Sequence, residues 1–69
     1  MKVITVSING STRPLPDSTS VAELIADMGL TGKRIALERN GEIVPRSRFV
    51  TQQLADGDKL EVVVAVGGG

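Results

Sequence analysis

Two Asn-Gly dipeptides are the strongest constraint on how this chain can fold. Asn-Gly suits the positive φ angles of a type I′ turn, which joins two antiparallel strands with the correct twist. Asn9-Gly10 follows a run rich in β-branched residues at 3–8, and Asn40-Gly41 follows a second strand-like run at 35–39. Each dipeptide therefore predicts a hairpin. The returning strands are expected at 11–15 and 42–44.

A helix is predicted between the two hairpins. Ser20-Val21-Ala22-Glu23 has the spacing of a capping box, in which the serine and the glutamate satisfy each other's backbone amides. The apolar residues that follow recur at helical spacing and form one stripe. Gly29 stands where a left-handed residue ends a helix. We expect the helix over residues 21–28, with Val21, Leu24, Ile25 and Met28 facing the core.

The rest of the chain predicts one more strand and an α+β fold. Residues 45–54 have no clean period, and we expect Phe49 and Leu54 to enter the core from a loop or short helical turn. Residues 59–66 form the last strand, with Leu60, Val62 and Val64 facing inward. The prediction is a mixed sheet of four to five strands with one main helix packed on one face. The pattern does not say whether the first and last strands pair.

The composition excludes most catalytic chemistry. The 69 residues contain no Cys and no His, so there is no thiolate, disulfide or zinc site, and no side chain that commonly shuttles protons at neutral pH. We therefore expect no enzyme activity, no bound metal and no bound cofactor. Phe49 is the only aromatic residue, and eight basic residues balance eight acidic ones, which argues against nucleic-acid and membrane partners. A cytoplasmic monomer is the default expectation.

Three glycines, Gly67-Gly68-Gly69, follow the last predicted strand. By itself a glycine run at a chain end is more often a frayed terminus than a functional group. Here it continues a strand of a very small domain, which favours an extended thread spanning about 10 Å. We predict a domain over 1–66 and a flexible tail over 67–69.

The segments in this order resemble the ubiquitin-like β-grasp sulfur carriers, and among them the ThiS family of thiamine biosynthesis. The resemblance covers essentially the whole chain and rests on Asn9-Gly10, Ser20 to Leu24, Glu42 to Ser47, Leu54 to Asp58, and Ala65 to Gly69. It implies a β-grasp fold with the first and last strands parallel in the sheet centre. Family carriers need two terminal glycines, and this chain has three.

The resemblance also implies a reaction. An adenylating, E1-like enzyme would use ATP to activate the Gly69 carboxylate, with Gly67 and Gly68 threading into the partner's active site. A sulfur donor such as a cysteine desulfurase would then supply the sulfur of a thiocarboxylate, which thiazole synthase would consume. Carriers for molybdopterin synthesis are usually longer and have a proline close before the tail. No proline follows Pro45 here, which favours thiamine.

Other functions remain open from the sequence. The chain could serve molybdopterin synthesis or another thiolation pathway, act as a ubiquitin-like protein modifier, or be a plain interaction domain. If the last strand alternates as predicted, Val63 and Ala65 lie on the sheet face away from the helix, and together with Val66 they would form a docking surface. Arg46 and Arg48 are candidates for contact with an acidic patch on a partner.

Overall fold

The computed structural model describes residues 2–65, which form a five-stranded mixed sheet with one α-helix. The sheet order is β2-β1-β5-β3-β4. In chain order the elements are β1 (Val3–Ile8), β2 (Ser11–Pro16), α1 (Val21–Asp27), β3 (Ile35–Arg39), β4 (Glu42–Ile43), a 3₁₀ turn (Arg46–Arg48) and β5 (Lys59–Val64). The predicted fold class is confirmed.

Both predicted hairpins are present. Asn9 and Gly10 have φ angles of 50° and 87°, and Asn40 and Gly41 have 52° and 86°, so both residues of each turn adopt the positive φ of type I′. β1 pairs antiparallel with β2, and β3 pairs antiparallel with β4. β2 is an edge strand, which accommodates Pro14 because a proline has no N–H for a further neighbour.

β1 and β5 lie side by side and parallel in the centre of the sheet. Ser7 is level with Lys59 and Ile8 with Leu60. This is the pairing that the sequence pattern left open and that the family resemblance implied. On its other side β5 pairs antiparallel with β3, so the first part of the last strand has a neighbouring strand on both edges.

The helix begins as predicted and ends one residue early. The Glu23 carboxylate accepts a hydrogen bond from the Ser20 N–H at 2.8 Å, and the Ser20 hydroxyl accepts one from the Glu23 N–H at 3.1 Å. The capping box is therefore confirmed. Met28 caps the end, and Gly29 follows with a φ of 74°. Within residues 2–65 no helix is long and apolar enough to cross a membrane.

The core lies between α1 and the facing side of the sheet. Phe49 and Leu54 enter it from the irregular stretch, as predicted. Met28 is only partly buried, although it packs against the core. The buried apolar residues are Ile4, Val6, Ile8, Leu15, Val21, Leu24, Ile25, Leu37, Val44, Phe49, Leu54, Leu60 and Val62.

Val64 lies on the predicted face, level with the partly buried Ile35, but its side chain is 38% exposed and is not part of the core. β1 is level with β5 only as far as Leu60 and then turns away at Asn9-Gly10. At Val64 the last strand is flanked by β3 alone, so the core does not extend that far. The predicted strand over 59–66 is described to Val64, and Val66 lies outside the described residues.

Candidate functional site

The described part of the chain ends at Ala65, one residue past β5. The Ala65 N–H donates to the Arg34 carbonyl at 2.9 Å, which continues the pairing with β3 by one residue. The last residues before the glycine tail are therefore hydrogen-bonded to the sheet through Ala65. Gly67, Gly68 and Gly69, predicted to thread into a partner, lie outside the described residues, as does Val66.

The asparagines of both hairpin turns bind β5 through their side chains. The Asn9 amide oxygen accepts a hydrogen bond from the Val62 N–H at 2.8 Å, and its amide nitrogen donates to the Val62 carbonyl at 3.1 Å. The Asn40 amide oxygen accepts from the Lys59 N–H at 2.9 Å. Sequence reasoning missed this role, because the preference of type I′ turns for Asn already explained both residues.

Asp58 holds the start of β5. It is 5% exposed and accepts hydrogen bonds from Arg39 Nε at 2.7 Å, the Ala55 N–H at 2.8 Å and Asn40 Nδ2 at 3.1 Å. Burial alone would raise the pKa of Asp58, but the three hydrogen bonds and the Arg39 charge outweigh it and hold that pKa below its ordinary value. Asp58 therefore ties the turn before β5 to β3 and to the second hairpin turn, and its hydrogen bonds hold the fold together.

The sheet face away from α1 is open and carries an apolar patch near the end of β5. Val63 is 61% exposed and stands opposite Ala36 on β3, and Ala65 is exposed beside them. Ile43 on β4 is 62% exposed and belongs to the same face, because it stands opposite Glu38. We call Ala36, Ile43, Val63 and Ala65 the apolar patch. Docking through Val63, Ala65 and Val66 stays a prediction.

The two candidate arginines lie at different places. Arg46 borders a shallow depression of about 330 Å³ together with Arg34 and the Ala36, Val63 and Ala65 side of the apolar patch. Arg48 borders a separate depression near β4, with Arg39 and Gln52. The structure therefore brings Arg46 to the end of β5 but does not bring Arg48 there. Sequence reasoning overlooked Arg34, Ala36 and Ile43 because only strand pairing brings them to this face.

The architecture defines the class of the protein. A mixed sheet of two adjacent parallel strands and three further strands, with one helix on a single face, is the ubiquitin-like β-grasp fold. Residues 6–69 match the ThiS family, and the chain belongs to that family. The fold and the family resemblance expected from the sequence are thus confirmed.

Solved structures and characterised sequences agree with this membership. The crystal structure of the thiamine biosynthesis protein ThiS from Geobacter metallireducens superposes with a TM-score of 0.80 at 28% identity, covering 96% of this chain and 100% of that one. The sulfur carrier protein ThiS of Bacillus subtilis is 38% identical over 53 residues, which are 77% of this chain and 80% of that protein.

A longer protein also contains a similar segment. A thiazole synthase of Paramagnetospirillum magneticum is 44% identical over 62 residues, which are 90% of this chain. The chain spans only 19% of that protein's length. A segment like this chain therefore occurs inside a polypeptide named as a thiazole synthase.

Proposed function

We propose that this chain is a cytoplasmic sulfur carrier for the thiazole of thiamine, and that it has no catalytic activity of its own. Gly69 would carry the reactive carboxylate, and Gly67 and Gly68 would deliver it into partner active sites. The observation that carries the proposal is the position of β5, which lies between β1 and β3 in the sheet and ends next to an exposed apolar patch, immediately before the glycine tail in the sequence. The similarity to the Bacillus sulfur carrier supports the same assignment.

The chemistry needs little from the carrier except its carboxylate. A carboxylate is a poor electrophile, so an adenylating partner first transfers AMP to it from ATP, with release of pyrophosphate. The outer sulfur of the donor's persulfide then attacks the carbonyl carbon and AMP leaves. A thiol next cleaves the S–S bond of the resulting acyl disulfide and is oxidised to a disulfide, which frees the thiocarboxylate with sulfur in place of one oxygen. Glycine suits the thread because it has no side chain to collide with the walls of a narrow channel. ATP and the sulfur donor, such as a cysteine desulfurase, belong to the partners.

Docking would use the open sheet face. Ala36, Val63 and Arg46 lie around Ala65, the last described residue before the tail, so a partner that covers them would also receive the tail. Val63, Ala65, Val66 and Arg46 form our proposed docking set. Arg48 borders a different depression, and we propose no role for it at this surface.

Thiazole synthase is the proposed acceptor of the sulfur. The support is the thiazole synthase of Paramagnetospirillum magneticum, in which a segment similar to this chain is part of the same polypeptide. A second thiazole synthase, from Magnetococcus marinus, contains a segment that is 30% identical over 64 residues. A carrier and the enzyme it supplies gain from such linkage, because it raises their effective concentration.

The test is a mass measurement on the intact chain. Coexpressed with its adenylating enzyme and a sulfur donor, the protein should gain the mass difference between sulfur and oxygen. Deletion of Gly68 and Gly69 should abolish the gain, whereas deletion of Gly69 alone should leave it partly intact. Modification of the chain that lacks both Gly68 and Gly69 would refute the proposal.

The same sample separates the alternatives. A ladder of proteins that carry this chain on their lysines would indicate a protein modifier. Transfer of the sulfur to a molybdopterin precursor, and none to the thiazole, would indicate the other pathway. The double deletion is matched by a Lys2→Gln variant, which changes the opposite end of the chain and should be converted normally.

A further inference from the structure

Two glutamates stand directly opposite each other on the open sheet face. β3 and β5 pair in a register that puts Glu38 level with Glu61, and Glu38 is also level with Ile43 on β4. Both side chains lie on the face away from α1, because their chain neighbours Leu37, Leu60 and Val62 are buried on the other side. Like charges directly opposite on a sheet are destabilising.

No basic side chain in the described part of the chain forms an ion pair with either glutamate. The ion pairs within residues 2–65 are Arg13–Asp27 and Arg39–Asp58, and neither involves these two carboxylates. Lys59 is on the same face two residues before Glu61, yet it forms no ion pair with it. Glu61 is exposed and Glu38 is half-buried. Two like charges therefore stand in a directly opposite cross-strand position, with neither held in an ion pair within the described residues.

Ile43 of the apolar patch is level with the two glutamates, and the other residues of the patch lie between the glutamates and the end of β5. The next pair on this face is Ala36 and Val63, and Arg34 and Arg46 border the same depression as Ala65 at the end of β5. The face therefore runs from two acidic residues through an apolar strip to two basic residues. A protein surface that covers the strip would also cover both charged ends, and exclusion of water would strengthen each contact.

We propose that Glu38 and Glu61 together bind a cationic side chain, of which arginine fits best, on the enzyme that activates the tail. This inference rests on the proposed function. A guanidinium presents five donors in a planar fork, which allows it to bridge two carboxylates on adjacent strands. Charge complementarity sets the orientation of docking more than its strength, so this contact aligns β5 with the partner's channel. A matching acidic group on the partner would face Arg34 and Arg46.

A metal ion does not account for the pair as well. Within residues 2–65 no group of three or more acidic, His or Cys side chains could hold one. The apolar neighbours Ile43, Ala36 and Val63 offer no further oxygen ligand. A protein surface uses both the charges and the apolar strip.

The test compares three double variants of the full chain. Glu38→Gln with Glu61→Gln removes the charges, and Glu38→Asp with Glu61→Asp keeps them. Asp17→Asn with Glu42→Gln removes two exposed charges that form no ion pair and lie outside the open face, as the matched control. The readouts are the Kd for the adenylating enzyme, the KM for the carrier and kcat in thiocarboxylation, and the Tm of the free carrier.

The glutamine variant should bind roughly tenfold more weakly, with a matching rise in KM, because it loses a charged contact. Its kcat should not change, and its Tm should be equal to or above that of the wild type because the repulsion is relieved. Its affinity should depend less on salt concentration. The aspartate variant and the matched control should both stay close to the wild type.

Unchanged Kd and KM in the glutamine variant, or an equal loss in the matched control, would overturn the inference. So would a homodimer of the free carrier that the glutamine variant dissociates, because the pair would then serve self-association. Thiocarboxylation of the wild type distinguishes a failure of this inference from a failure of the proposed function. If the wild type gains sulfur and the glutamine variant does so with the same KM, only the present inference fails. If the wild type gains none, both fail.

Discussion

The side-chain amide of Asn9 makes two hydrogen bonds with the main chain of Val62, one to its N–H at 2.8 Å and one to its carbonyl at 3.1 Å. The Asn9 N–H also donates to the Leu60 carbonyl at 2.9 Å. The amide takes the place of the next residue of β1, which has already turned away. Asn9, a turn residue, thus holds β5 at Val62, two residues before the strand ends.

Replacement of Asn9 should loosen the end of β5. Asn9→Gly keeps the positive φ of the turn but removes both side-chain hydrogen bonds, so we expect a loss of about 1–2 kcal/mol in the free energy of unfolding. The Val62 amide should exchange with solvent faster relative to amides of β1. The exchange rate in Asn9→Asp, whose side chain still accepts from the Val62 N–H, should fall between those of the wild type and Asn9→Gly. Unchanged exchange at Val62 in Asn9→Gly would contradict the role of the side chain.

The two candidate arginines should behave differently. Arg46→Gln should weaken binding to the adenylating enzyme, because Arg46 borders the depression beside Val63 and Ala65. Arg48→Gln is the matched control, with the same charge change two residues away in a separate depression, and should leave binding unchanged. The measurement is the Kd by titration calorimetry. Equal losses in both variants would point to net charge and not to position.

Asp58 should contribute to the acid sensitivity of the fold. Its pKa in the folded state is held below the ordinary value of 3.8, so its stabilising effect is present above that pH and is lost as the pH falls through the folded pKa. Asp58→Asn should cost roughly 2 kcal/mol near neutral pH, because charged hydrogen bonds to a buried group are lost. The difference in unfolding free energy from the wild type should shrink in acid. A difference that is constant down to pH 2 would rule out this contribution.

The capping box should be worth a measurable amount in this small domain. Ser20→Ala removes the acceptor of the Glu23 N–H and should lower the free energy of unfolding by about 1 kcal/mol. Ser20→Thr preserves the hydroxyl and should cost less. Chemical denaturation of the three proteins measures the order. A Ser20→Ala variant as stable as the wild type would show that the helix start is held by packing of Val21 alone.

Local sequence chemistry predicted the hairpins, the start of the helix and the apolar residues of the core. Each of these local motifs, the two Asn-Gly turns and the capping box, acts within four residues. Each can therefore be recognised without the rest of the chain. Alternation along β5 gave the face of Val64 but not its 38% exposure, because alternation says nothing about where the neighbouring strand stops. The candidate site was only partly predictable for the same reason.

The sequence by itself determined the set of elements, the glycine tail and the absence of Cys and His chemistry. Only the tertiary structure decided that β1 and β5 lie parallel in the centre, because that pairing joins residues more than fifty positions apart. The same register separated Arg46 from Arg48 and set Glu38 opposite Glu61. Strand register depends on packing of whole faces against the helix, and no local motif encodes it.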